Sequence, residues 1–477
     1  MKNWNGTTAV ALALVLFVGS RAVIAFAFEP RVSDTILYAI YAFVTGDAHR
    51  LGQSPYDRFE KLVVSADAPG DPSPPRFEEV TIEYPPLAVA LMTTPLPFIS
   101  SAATAARARG DDAGAIAAWK RSFRSLYFVA DVASAMALGW WLRRRGLVRP
   151  WGLVVSALGG ILLAYLLYDR LDLALGFALL GALGALVAGR RYIALALLAL
   201  AVNLKVVPVL LLPLFVFGGL PASGRDGGIA TRQGRRELSL AFVAFAAALV
   251  AIVLPFRLRW GPRVWDFLAY HGQRGLQVES TWSSILLVAA HFGYPLRVVN
   301  GFGTYGVTGP QTGALATASA AAVLMAVTLT YALLWRACRR WRGETVVAEE
   351  NTATTLAARH PQFFVWASFA VLAVAMAGAK VFSPQYLCWF LPTFLLVEPP
   401  SKWGGGLAVL LFLSACTLTT LVYPLLWGEV VRPVLAEQGL FALPTVRVSL
   451  LLLGRNLLWT GFGVVALLNA RQTSGSV

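Results

Sequence analysis

Charge is scarce in this chain: Asp, Glu, Lys and Arg together make up 14% of 477 residues, against about a quarter in soluble globular proteins. That excludes an ordinary water-soluble domain. Cysteine is scarcer still. Cys338, Cys388 and Cys416 stand far apart, in or beside apolar runs and without CxxC spacing, which excludes a disulfide framework. No grouping of His, Cys, Asp and Glu has metal-ligand spacing, so neither a metal nor another cofactor is expected. The phosphate-cradling pattern GxxxxGK[ST] does not occur, and nothing else offers a domain for a cytosolic nucleotide-sugar. No internal repeat is evident at the half-length typical of transporters.

What is present is apolar sequence, 57% of all residues. A bilayer core of about 30 Å takes roughly 20 helical residues, so the chain has room for about 12 transmembrane helices with extracytoplasmic loops. The expected fold is an all-α polytopic membrane protein, because backbone groups in lipid must be satisfied within each segment. Residues 1–477 read as one integral-membrane domain. Its runs are 7–28, 86–104, 125–142, 151–168, 173–188, 192–219, 238–256, 312–335, 362–379, 385–397, 404–424 and 445–469. A shorter run at 283–292 reads as interfacial or re-entrant. Arg21, inside the first run, costs about 2.5–3.5 kcal/mol at a helix centre unless it snorkels or meets a polar cavity.

The net charge of +15 sits in clusters between runs. It reads as cytoplasmic-loop bias toward Lys and Arg, with some arginines available to a phosphate-bearing lipid, and not as a nucleic-acid surface. With the Gly/Arg-rich loop 223–236 inside, segment 257–311 falls outside, the basic start of loop 336–360 inside and the C-terminus inside. Before residue 220 the count conflicts with an inside N-terminus, so one segment there is short or re-entrant.

Two long polar intervals stand out, 29–85 and 257–311, as first and second extracytoplasmic segments. In the first, Asp34 follows the opening run, with Tyr38 and Tyr41 on the helical face it shares. Asp34 is either a helix N-cap or a general base at the membrane surface. The interval ends at EYPPL (Glu83 to Leu87), where Tyr84 is a candidate contact and the motif reads as a geometric re-entry point. The YDRLDL turn between 151–168 and 173–188 carries Asp169, Arg170 and Asp172, either an internal ion pair or part of a site. Lys205 interrupts an apolar run just before Pro208, placed to neutralise a phosphate. His271, Arg274 and Glu279 in YHGQRGLQVES read as loop polar residues or as an anion-binding arm. Lys380 and Gln385, in GAKVFSPQYLCWFLP, are further candidates, with Trp389 beside them read as an interfacial belt residue.

In this order GQSPY, EYPPLAVALMTTPLP, YDRLDL, NLKVVPVLLLP, RGLQVES and FSPQYLCWFLP resemble the motifs of glycosyltransferase family 87, within the GT-C membrane enzymes. These include polyprenyl-phosphate-mannose-dependent mannosyltransferases. The resemblance covers about residues 30–460 and implies a GT-C fold in the plasma membrane with its active site on the extracytoplasmic side. It implies a polyprenyl-phosphate sugar donor, a lipid or glycan acceptor, and a catalytic Asp that Asp34 matches. His271 matches a loop histidine near the donor. Lys205, Arg274 and Lys380 would then surround the phosphate. The chain departs from the family in a long insertion at 62–79. A lipid or lipid-linked-sugar transporter is the alternative, since intramembrane charges also mark translocation paths, and a non-catalytic assembly subunit is a third reading.

Overall fold

The computed structural model of the protein describes residues 7–28, 35–66, 75–144, 150–221, 232–338, 355–398, 403–435 and 443–473. Asp34, Arg145, residues 223–231 of the Gly/Arg-rich loop, 339–354 of the second basic loop and 67–74 of the insertion lie outside the described residues.

Helices build almost the whole described chain. They are α1 (Thr7–Ala22), α2 (Thr35–Arg50), α3 (Pro55–Ala66), α4 (Pro86–Met92), α5 (Asp112–Arg144), α6 (Pro150–Leu162), α7 (Asp172–Val187), α8 (Arg191–Leu204) and α9 (Leu212–Gly218). After them come α10 (Arg232–Trp260), α11 (Asp266–Gln273), α12 (Thr281–Ala290), α13 (Thr312–Cys338), α14 (Pro361–Gly378), α15 (Trp403–Thr420), α16 (Trp427–Leu435) and α17 (Val446–Thr473). Among the described residues six helical stretches are long and apolar enough to cross a bilayer: Thr8–Ala27, α10, α13, α14, Gly404–Leu425 and α17. The protein is thus an all-α membrane protein. Six further apolar helices are only 10–17 residues long, shorter than a bilayer core requires.

Position follows from burial. α14 has 72% of its apolar window buried, whereas α10 and α13 have 17% and 22%, so α14 is central and the other two face lipid. α14 packs on α17, and α17 on α15. Phe369, Phe390, Phe412, Trp459 and Phe462 fill the space among them with ring contacts of 5.0–6.3 Å.

Four expectations need correction. Residues 385–397 are not a span: Pro384–Trp389, Phe390–Thr393 and Phe394–Leu396 form short turns buried in the core. The cause is local, since Pro384 and Pro392 interrupt the run and three glycines let other helices press against it. A Cβ on Gly152 would lie 2.6 Å from Phe394 O, one on Gly159 2.5 Å from Leu391, and one on Gly176 3.0 Å from Pro392. Second, the helix of run 125–142 does not begin there, because α5 runs unbroken from Asp112 through the polar residues before it. Third, the polar segment 257–311 contains a β-hairpin, β1 (Arg297–Gly301) paired antiparallel with β2 (Thr304–Thr308). Its turn is made by Phe302 and Gly303, both at positive φ.

The fourth concerns Trp389, which is no belt residue. It is fully buried and donates its indole N–H to Asp172 Oδ1 at 2.6 Å. Arg21 meets a polar partner rather than snorkelling: Nε donates to Asp131 Oδ2 at 2.7 Å, and Nη2 to Ser156 O at 2.9 Å. Tyr168 donates to the same Asp131 oxygen at 2.9 Å. The guanidinium has room because residue 160 is glycine, where a Cβ would stand 1.6 Å from Nη1.

Candidate functional site

A cavity of about 460 Å³ opens among the re-entry loop, the break between α8 and α9, α11 with the loop after it, and the loop after α14. These segments are far apart in sequence, and each places ionisable groups on one space.

Lys205 reaches the cavity because α8 stops at Leu204. Lys205 itself is extended (φ −153°, ψ 140°), and Pro208 starts a tight turn over Val207–Leu211. Its ammonium donates to Asp172 Oδ1 at 2.7 Å and sits 4.5 Å from the centre of the Tyr386 ring. Asp172, behind the cavity wall, thus accepts from both Lys205 and Trp389, which fixes the lysine in place. Arg170, from the same turn, also lines the cavity and donates to Tyr423 Oη at 2.8 Å. Asp169 points elsewhere, toward Lys120 at 3.6 Å. The YDRLD turn is therefore divided: Arg170 in the site, Asp172 supporting it, Asp169 outside it.

α11 ends at Gln273, and the extended Arg274 that follows turns back into the cavity. Arg274 is only 8% exposed, and its Nε has no hydrogen-bond partner. A buried guanidinium N–H without a partner is costly and is the clearest sign of a place for an anion. His271, one turn earlier, shares a hydrogen bond with Glu83 O at 3.1 Å. Solvent reaches His271 through the cavity, yet surrounding protein, then the positive charge of Arg274 and Lys205, lowers its pKa to about 4. At neutral pH it is an uncharged hydrogen-bonding group.

Gln277, Glu279 and Lys380 form the third wall. Gln277 N donates to Lys380 O at 2.9 Å, Val278 N to Tyr305 O at 3.0 Å and Val307 N to Leu276 O at 3.0 Å. The hairpin thereby acquires residues 276–278 as a short third edge. The Gln277 amide donates to Glu279 Oε2 at 2.9 Å and to Ser383 Oγ at 3.0 Å. Glu279 is 3% exposed, and burial raises its pKa to about 7 against the opposing pull of Arg455, Arg170 and Arg274. Lys380 donates to Gly272 O at 2.8 Å. Burial, then Arg274, lowers its pKa. Gln385 and Tyr84 also line the space, while Tyr38 stands behind Tyr84 with the two hydroxyls 3.1 Å apart.

Glu83 was not among the residues expected to carry chemistry. It lines the cavity, where burial raises its pKa against the attraction of Arg274 and Lys205. EYPPL therefore also places a carboxyl group on the cavity, and a carboxylate two residues before Pro85-Pro86 was the readable signal. Arg455 and Asn456 were missed too. Arg455 Nη2 donates to Glu279 O at 2.6 Å and Phe382 O at 3.3 Å, and Asn456 Nδ2 to Glu279 O at 3.2 Å. An arginine in the middle of the run 445–469 was a signal of the same kind as Arg21. Tyr305, Tyr423 and Trp427 complete the wall, with Trp427 edge-on to both tyrosines at 5.8 and 5.1 Å.

The arrangement defines a helical membrane protein with a cavity of four cationic side chains, one buried and one half-buried carboxyl group, and an aromatic side. No group of three metal-ligating side chains occurs among the described residues. Family models, curated proteins and solved structures contain no match to this chain.

Proposed function

We propose that the protein is a membrane glycosyltransferase of the GT-C type, resembling glycosyltransferase family 87. It moves a sugar, mannose by that resemblance, from a polyprenyl-phosphate donor to a lipid or glycan acceptor outside the cytoplasm. In this reading the shorter apolar helices at 86–98, 150–162, 172–187 and 191–218, together with α5, fill out the bundle toward the expected number of about twelve spans. The observation that carries it is the convergence of Lys205, Arg274 and Lys380 on one cavity, with Arg274 Nε unpartnered.

The chemistry fits that charge distribution. A hydroxyl oxygen of the acceptor forms a bond to the anomeric carbon as the bond from that carbon to the phosphate oxygen breaks. The electron pair leaves with the polyprenyl phosphate, so negative charge grows on the phosphate in the transition state. Cations held there by Asp172 and by backbone carbonyls stabilise that state more than the ground state. The acceptor proton goes to a carboxylate, and a single displacement inverts the anomeric centre, by analogy with inverting glycosidases. Asp34 is the proposed base. In support, the helix that starts at the next residue, Thr35, carries Tyr38 onto the cavity residue Tyr84. Glu83 is a second carboxylate within the cavity to orient the acceptor.

Purified protein in detergent, given polyprenyl-phosphate mannose and a glycolipid acceptor fraction, should release polyprenyl phosphate without any membrane gradient. Asp34→Asn should abolish turnover with donor binding retained. Arg274→Gln should lower kcat by about 10²–10³, the usual effect of losing one transition-state donor. No turnover by wild-type protein, with gradient-driven lipid movement in vesicles, would identify a transporter instead. Near-wild-type activity of the Asp34 variant would remove that residue from the mechanism.

A further inference from the structure

At about 460 Å³ the polar cavity falls in the range of about 300–1,000 Å³ that encloses a drug-sized ligand. A phosphate group on Lys205, Arg274 and Lys380 leaves most of that space unfilled. A second, contiguous patch of wall lines the same space. Arg170 donates to Tyr423 Oη at 2.8 Å, the Tyr423 ring meets Trp427 at 5.1 Å, and Trp427 meets Tyr305 at 5.8 Å. The patch closes through the backbone, where Val278 N donates to Tyr305 O at 3.0 Å and brings Gln277 and Glu279 to its edge. All six of these side chains line the cavity.

The patch is held in shape before any ligand arrives. Phe302, at φ 52°, sets its ring 5.2 Å from that of Tyr270, which seats the hairpin turn on α11. The Gln277 amide holds one oxygen of Glu279, and a carboxyl group has further acceptor positions to offer. Tyr305 and Trp427 are half-buried, so each keeps ring surface for a ligand. Aromatic rings suit an apolar face, whereas Glu279 and Arg170, 3% and 4% exposed, suit hydrogen-bonding groups. A hydrocarbon chain here would leave a carboxyl and a guanidinium with neither water nor partner, which is costly. A second anion would face Glu279. A pyranose meets both demands: its C–H face packs on an aromatic ring, and its hydroxyls donate as well as accept, so they bond a carboxyl in either protonation state.

We propose that this patch is a pyranose subsite within the polar cavity. Trp427 and Tyr305 form the shelf on which the sugar ring lies, and Glu279 and Arg170 bond its hydroxyls. The subsite rests on the transferase reading for the kind of sugar it takes. That sugar is carried by the lipid phosphate or belongs to the acceptor, and the two present the same chemistry to the shelf.

Saturation-transfer NMR of the full chain, in a detergent without a sugar head and with mannotriose as probe, tests the subsite. Wild-type protein should transfer saturation to mannotriose. Trp427→Ala should weaken that binding about tenfold or less, the effect of one ring contact, and Trp427→Phe should keep most of it. Bare polyprenyl phosphate should bind both variants as it binds wild type. If Trp427→Ala does not fold, Tyr305→Ala should weaken mannotriose binding in its place. Titration with polyprenyl-phosphate mannose then separates the two sources. Displacement of mannotriose, with the mannosylated lipid losing its advantage over the bare one in Trp427→Ala, assigns the subsite to the donor sugar. Joint binding of the two, with donor affinity unaltered in Trp427→Ala, assigns it to the acceptor. No transfer to mannotriose in wild type, or undiminished binding in a folded shelf variant, would overturn the proposal. Mannotriose binding without turnover would keep the subsite and remove the transferase reading.

Discussion

Glu279 has a pKa near 7 because it is buried, in spite of the arginines around it. A carboxyl poised there couples the cavity's charge to pH. Below pH 7 it is protonated and one negative charge leaves the site, which favours a phosphate; above pH 7 it ionises and opposes one. Glu83 is shifted in the same direction, while His271, at about 4, stays neutral from pH 6 to 8 and adds nothing in that window. Polyprenyl phosphate should therefore bind wild-type protein more weakly at pH 8 than at pH 6, relative to Glu279→Gln. The phosphate's own ionisation is common to both proteins, so the difference in their slopes isolates Glu279. Identical slopes in isothermal titration would show that Glu279 does not sense the ligand. At this scale much of the site was legible. Lys205 and Arg170 were recognisable because a charge inside an apolar run needs a reason to be there. Glu83 was hidden because Pro85-Pro86, two residues on, supplied a sufficient geometric explanation of the motif.

The hairpin β1–β2 shows how an element with no charged group in the cavity positions those that are charged. Its edge holds residues 276–278 through two backbone hydrogen bonds, and Gln277 and Glu279 face the cavity from that strip. Gly306 permits the approach: a Cβ there would stand 3.0 Å from Leu276 O. Gly306→Val should push the strip away and weaken polyprenyl phosphate binding about tenfold, with unchanged elution and helical content. Unaltered binding would make the hairpin a bystander. The hairpin was not legible in advance, because its strands, RVVNG and TYGVT, lie inside a segment with no apolar run to set a period. The failure at 385–397 has the opposite cause. Hydropathy records that a segment avoids water but not whether lipid or protein covers it, and here the glycines of α6 and α7 supply protein. Helices of bilayer length, such as α10 and α13, were readable because length and lipid exposure both follow from composition.

Over the whole molecule, α10 runs from the arginines at 232–236 to Trp260 beside segment 257–311, and α13 returns from the hairpin side to Arg336. The two polar ends of the protein are thus assigned to opposite faces. The three native cysteines are buried, which leaves a low labelling background. In intact cells Asn300→Cys, at an exposed hairpin position, should react with a membrane-impermeant maleimide, and Arg236→Cys should react only after permeabilisation. The reverse pattern would invert the topology and place the proposed site in the cytoplasm. The pairing of Arg21 with Asp131 and Ser156 also bears on how the chain is made. The first helix leaves the ribosome more than 100 residues before its acidic partner and 135 before its serine, so it enters the bilayer with its arginine unmatched. Its own apolar length must hold it there until α5 and α6 arrive. Chains truncated ahead of α5 should retain that helix less securely than chains that include α6, as alkaline extraction of the two products would reveal.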